Sequence, residues 1–279
     1  MRWFLLVLLV AGFGIMRWVS RAQESAREMD ADRGGQAVTW PIDEKFKKDV
    51  FTFVRLKYSV DSGAHGLGHT LDRWLIDAPD SELNFSFRLQ QVTSLKVNPN
   101  PKWLAITNAE LFDYPFVYIV EPGRLAFTED ELPVLRRYLL NGGFLMCDDF
   151  WGDWEWHNFS LELKRLFPDR EPVDLPLSHP IFNCVFPIKE KPQVPGLPWG
   201  IRHEFTGISY EAAKNPGAEE PHYRAILDDK GRIMVMICHN TDMGDGWEKE
   251  GESEYYFKEF SEKWAYPLGI NIVFYAMTH

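Results

Sequence analysis

A chain of 279 residues, 45 % hydrophobic and 15 % aromatic, carries enough apolar surface for one large core, which excludes wholesale disorder. Its formal charge of −11, or 27 bases to 41 acids without the three arginines of residues 1–22, repels phosphates and anionic headgroups. No Lys/Arg-rich run offsets that field, so nucleic acid is not an expected partner.

The N-terminus reads as an address. Arg2 precedes the uncharged run Trp3 to Met16, and Arg17 ends it. At about 1.5 Å per residue, the run is short for a bilayer core of about 30 Å and has the length of a signal-peptide core. Ser20-Arg21-Ala22 offers a cleavage site after Ala22. Arg17 and Arg21 are unusual in a cleaved signal, which keeps an uncleaved anchor open, beside a buried helix of a cytosolic protein. The expectation is an exported chain, periplasmic or anchored to the inner membrane, with residues 1–22 contacting the membrane. Residues 23–45 are polar and aperiodic and read as a linker. The folded domain is expected over 46–279.

Residues 51–58 alternate apolar and polar positions and predict the first strand. A Gly- and His-containing loop follows. Asp80 or Ser81 opens a helix to Thr93 with Phe85, Leu89 and Val92 on one face. Residues 103–107 form a short strand and 108–112 a turn. Residues 116–120 are almost wholly apolar, as in a strand buried on both faces. Thr128 and Glu131 make a capping box for the next helix, which Asn141-Gly142-Gly143 closes. Residues 144–147 give another buried strand ending in Asp148-Asp149, and 161–167 a helix stopped by Pro168. From Glu171 to Pro221 the prolines predict an irregular insertion. Residues 223–227 and 233–237 form a hairpin, 239–253 a loop, and a last helix runs from Tyr255, broken near Pro267. Alternating β and α elements predict an α/β fold with a doubly wound, mostly parallel sheet. Ligands of such sheets bind beyond the strands' carboxyl ends, which selects loops 59–73, 148–157 and 239–250.

The succession FVRLKY, WLIDAPDSELNF, LFDYPFVYIVEPG, LRRYLLNGGFLMCDD, LSHPIF and AYPLGINIVFYAMT resembles a bacterial family catalogued as domain of unknown function 4159. The resemblance spans about residues 50–278. It implies a fold similar to class I glutamine amidotransferases (flavodoxin-like) and an exported or membrane-associated setting, and it brings no assigned activity. Amidotransferases of that fold place a cysteine on a sharp strand-to-helix turn between glycines. Cys147 is near that point, but Met146 and Asp148-Asp149-Phe150 flank it, where small residues are needed and where carboxylates disfavour a thiolate. Cys147, Cys184 and Cys238 allow at most one intramolecular disulfide, and Cys147 and Cys238 suit small buried positions.

The candidate chemistry lies in four places. Asp148 and Asp149 end a buried strand at the ligand-binding edge; they suit a metal, a sugar hydroxyl or a helix cap. Asp242 and Asp245 lie in Asp-x-Gly-Asp-Gly, which suits Ca²⁺ but lacks EF-hand spacing and also fits a solvated turn. Together, Asp148, Asp149, Asp242 and Asp245 would hold a divalent cation, the one cofactor the sequence suggests. His65 and His69 flank a Gly-rich turn that would cradle an anion or serve only as a flexible loop. Trp151, with Trp154 and Trp156, would stack on glycans or pack on the core. Two functions follow. One is a non-catalytic binding or scaffold module of the cell envelope, with protein or glycan partners and no amidotransferase nucleophile. The other is a metal-dependent hydrolase of envelope glycans or related substrates.

Overall fold

The computed structural model describes residues 38–46, 49–60 and 73–279. His65 and His69 lie outside the described residues, as does the whole N-terminal address. The compact unit runs from Trp40 to His279. Trp40 belongs to it physically: its indole N–H donates to Val97 O at 2.7 Å. Among the described residues, no helix is long and apolar enough to cross a membrane.

In chain order the elements are β1 (Val54–Lys57), α1 (Asp80–Val92), β2 (Lys102–Ala105), β3 (Phe116–Val120), α2 (Glu131–Leu140), β4 (Phe144–Asp148), α3 (Gly152–Leu166), β5 (Val173–Asp174), α4 (Leu197–Thr206), β6 (His222–Leu227), β7 (Ile233–His239) and α5 (Met243–Glu248). A helical run then opens at Glu254–Tyr256, is π-helical over Phe257–Ala265 and ends as α6 (Tyr266–Thr278). The seven strands form one mixed sheet in the order β2-β1-β3-β4-β7-β6-β5. β1, β2, β3, β4 and β7 are parallel, and β6 is antiparallel to both neighbours.

Alternation along the strands builds a core on each face. Phe116, Tyr118 and Val120 of β3 join Phe144 and Met146 of β4 on one side, under Phe85 and Leu89 of α1 and Ile270 and Val273 of α6. Val117, Ile119, Leu145 and Cys147 face the other side, under Leu135 and Leu139 of α2 and Phe159 and Leu163 of α3. A strand covered on both faces must be apolar at every position, which is why β3 and β4 read as continuous runs. Phe53 sits at the centre of the first core, with its ring centroid 5.4–6.2 Å from those of Phe85, Phe116, Tyr118 and Trp247.

Several expected elements differ. The helix expected over 161–167 starts earlier: residues 152–157, expected in the 148–157 loop, belong to the first half of α3. Its N-terminus is held by one distant and one local acceptor: Asn240 Oδ1 accepts from Gly152 N at 2.8 Å, and Glu155 Oε2 accepts from Trp151 N at 2.8 Å. A cap from a residue 88 positions away leaves no local signature. The 239–253 loop contains α5, and so Met243 to Gly246 of the Asp-x-Gly-Asp-Gly run are helical. Asp242 caps it, Oδ1 accepting from Asp245 N at 2.7 Å. Two glycines in a helix cost about 1 kcal/mol each, and such caps offset part of that. The 171–221 insertion holds α4 and pairs β5 to the sheet. The last helical run is not broken at Pro267: the π-helical segment Phe257–Ala265 leads directly into α6. The capping box forms reciprocally: Thr128 N donates to Glu131 Oε2 at 2.8 Å and Glu131 N to Thr128 Oγ1 at 3.3 Å.

Candidate functional site: an acidic cluster at the carboxyl edge

The parallel strands deliver acids to a single edge. β3 runs into Glu121, β4 into Asp148 and Asp149, and β7 through Asn240 and Thr241 into Asp242. Among the described residues, the non-glycine positions with positive φ are Asp77 (64°), Glu121 (48°), Asp149 (56°) and Asn240 (61°). Asn and Asp tolerate this region through local polar contacts, whereas Glu121 is strained outright. Backbone of this kind persists where surroundings over-determine it.

Arg55 of β1 does that for Asp77. Its fully buried guanidinium is ion-paired with Glu82 and donates to Trp74 O at 3.0 Å, Ile76 O at 2.5 Å and Ser81 Oγ at 2.9 Å. The segment 74–82 is thereby pinned to the sheet, with Asp77 turned toward β4 and β7. On the other side the Asp77 carboxylate rests on Gly244, where any Cβ would overlap its Oδ2.

Asp148 plays a separate part. Its Oδ2 accepts from Met243 N at 2.8 Å, Gly244 N at 3.1 Å and Tyr118 Oη at 3.3 Å, which fastens the first turn of α5 to β4. Burial pushes its pKa up to about 7, with the two backbone donors acting against that rise. Its neighbour Asp149 faces the cluster, and Oδ1 accepts from the Trp151 indole at 3.1 Å. Oxygen atoms of Asp77, Asp149 and Asp242 lie within 4.8 Å of one another, and the same holds for Asp77, Asp245 and Glu248. Asp148 is in neither group. The four acids expected to share one site are thus divided: Asp149 and Asp242 meet through Asp77, Asp245 meets Glu248, and Asp148 builds the wall.

Burial is the first cause holding Asp77, Asp149 and Asp242 well above the usual carboxylate range. Repulsion adds to it, from Asp245 on Asp77, from Glu121 on Asp149 and from Asp149 on Asp242. Asp245 is pushed up to about 6 by burial, although Leu197 N donates to its Oδ2 at 2.7 Å. The proline-rich insertion closes over the edge. A Cβ on Gly196 would lie 2.9 Å from Glu211 Oε1, 3.3 Å from Asp242 Oδ2 and 3.4 Å from Asp245 Oδ2, so the chain passes close to all three carboxylates. Burial raises Glu211 to about 7. Lys214 sits opposite, its ammonium 2.5 Å from Glu155 Oε1.

Of the two alternatives for Trp151 the structure shows the packed one, and Cys147 occupies the small buried position expected of it. Trp151 is 2 % exposed and offers no face to a glycan; its indole N–H is spent on Asp149. Cys147 is fully buried within β4, and burial pushes its thiol well above its ordinary value. The strained residue of the β4–α3 turn is Asp149, two positions on. Sequence reasoning missed Asp77, Glu211 and Glu248. Glu248 could have been found, since Asp245 and Glu248 are three apart and meet on one face once α5 is helical. Asp77 gave no signal, because its place depends on Arg55 and Gly244.

Fold and edge together define an α/β protein with a buried acidic site at the carboxyl ends of its parallel strands. The chain belongs to the family described as a domain of unknown function (DUF4159), which matches residues 52–277. No curated protein matches it.

Proposed function

We propose that the chain is an exported, envelope-located member of the class I glutamine amidotransferase-like folds that works as a divalent-cation-dependent hydrolase at its acidic edge. The observation that carries this reading is the meeting of Asp77, Asp149 and Asp242 oxygens within 4.8 Å, with the Asp77 Oδ2 buried and without a hydrogen-bond partner. A span of that size suits an ion with bonds of about 2.3–2.6 Å, whose opposite ligands are about twice that apart. Mutually repelling buried carboxylates must either bind protons or a cation. A bound cation would polarise a substrate oxygen and acidify a water. Glu211, raised to about 7, titrates where a general base works best at neutral pH. The sealed Cys147 thiol supports a reaction without a cysteine nucleophile. Glycans of the envelope and related esters are the substrates to try first.

Calorimetry on chelator-treated protein with Ca²⁺, Mg²⁺, Mn²⁺ and Zn²⁺ tests the reading, with Asp149→Asn and Asp242→Asn beside the wild type. Binding in the wild type that falls at least tenfold in both variants supports it, as does cation-dependent turnover of a glycan or ester panel. Absence of binding removes it. Binding without turnover on any substrate favours the second reading, a non-catalytic binding module, which the missing cysteine nucleophile also supports.

A further inference from the structure

The two acidic groups share one member. Asp77 contributes an oxygen to the group with Asp149 and Asp242 and to the group with Asp245 and Glu248. A carboxylate has two oxygens and can ligate one cation through each. The Asp77 carboxylate lies against Gly244, and Arg55 holds the carbonyls of Trp74 and Ile76 just before it. Its Oδ2 is shut off from solvent with no hydrogen-bond donor, a condition that costs about 1–3 kcal/mol for a polar atom and more for a charged one.

The partners are arranged as metal ligands usually are, with one oxygen oriented by a protein donor. Asp149 Oδ1 accepts from the Trp151 indole, Asp242 Oδ1 from Asp245 N, and Asp245 Oδ2 from Leu197 N. Each keeps a second oxygen. Glu248, 6 % exposed at its side chain, is paired to Lys249 at 2.9 Å through Oε2. Of these five carboxylates Lys249 offsets one charge, and the remaining four exceed what one divalent ion offsets but match two.

We propose that Asp77 bridges two divalent cations, one held with Asp149 and Asp242 and the other with Asp245 and Glu248. The proposal rests on the reading of this edge as a cation site and adds its nuclearity. Carboxylate-bridged pairs stand about 3.5–4 Å apart and clamp both the attacking and the leaving oxygen of a displacement.

Mn²⁺ alone is the probe. Chelator-stripped full-length protein is titrated by calorimetry and weighed by native mass spectrometry, and its electron paramagnetic resonance spectrum is recorded at saturation. The expected result is two Mn²⁺ per chain with an exchange-coupled spectrum. Glu248→Gln should leave one ion bound and abolish the coupling; Asp245→Asn gives the same test should Glu248→Gln fail to fold. Asp77→Asn should weaken both ions at least tenfold. One ion in the wild type, or two without coupling, overturns the bridge and leaves the single-cation reading standing. No Mn²⁺ at all overturns both.

Discussion

At the residue scale, single contacts decide whether the acids meet. Gly244→Ala places a methyl group against the Asp77 carboxylate while improving helix propensity by about 1 kcal/mol. The two effects oppose each other in stability, so the unfolding midpoint should shift by no more than about 1 kcal/mol. Mn²⁺ affinity should fall at least tenfold, and unchanged affinity in calorimetry would place the cation elsewhere. Arg55→Met leaves Glu82 buried without its partner, and removing one half of a buried pair costs about 3–5 kcal/mol. Urea denaturation should show that loss. Cys147→Ala removes only a small buried side chain and should cost about 1–2 kcal/mol, leaving cation binding intact. Covalent capture of Cys147 by an electrophilic glutamine analogue would contradict that picture.

At the element scale, the turn between β4 and α3 carries more constraint than any helix start that follows local rules. Gly152 has φ of 74°, and a Cβ there would strike the backbone carbonyl of Lys214. Backbone cannot yield as a side-chain tip can, so Gly152→Ala should cost about 2–4 kcal/mol from strain and overlap together. The α2 start is local, and Thr128→Ala should cost only about 1 kcal/mol, the worth of a capping hydroxyl. Comparing the two by urea midpoints checks the ranking. The same contrast explains what the sequence revealed about these elements. The Thr128–Glu131 box, the β3 and β4 runs and the α1 face were legible because their signals are local. The first half of α3 and the whole of α5 were not. Their first turns are satisfied by Asn240 and Asp148, which arrive from other strands.

For the whole molecule, the buried acids set a pH dependence. Asp245, Asp148 and Glu211 have folded-state pKa values raised to about 6, about 7 and about 7, against ordinary values near 4. A raised carboxyl favours the fold when protonated, so its contribution is complete below about pH 4 and is lost as pH rises through about 6–7. In chelator the thermal midpoint should therefore fall between pH 5 and pH 8, and by less in Asp245→Asn. A saturating divalent cation should reverse the fall, since a ligand that binds only the folded state adds about 2.7 kcal/mol at a hundred times its Kd. A midpoint in chelator that rises from pH 5 to pH 8 would mean that the edge acids are not buried as described.

The amino-acid sequence by itself determined the α/β class, the buried parallel strands at the centre of the mixed sheet and the edge at which Asp149 emerges. The parallel pairing of β7 with β4, which brings Asp242 to that edge, came from the tertiary structure. Strand runs, helix faces and the strand-to-loop direction are properties of neighbouring residues, and the chain's own periodicity carries them. The tertiary structure alone decided which acids share a volume. Asp148, the last residue of β4, is turned into the α5 backbone, whereas its neighbour Asp149 leaves the strand with a φ of 56°. Asp77, about seventy positions from Asp149, completes the cluster because a buried arginine on β1 and a glycine on α5 hold it there. Such contacts join residues distant in sequence, and their physics, desolvation and close packing, has no local pattern to read.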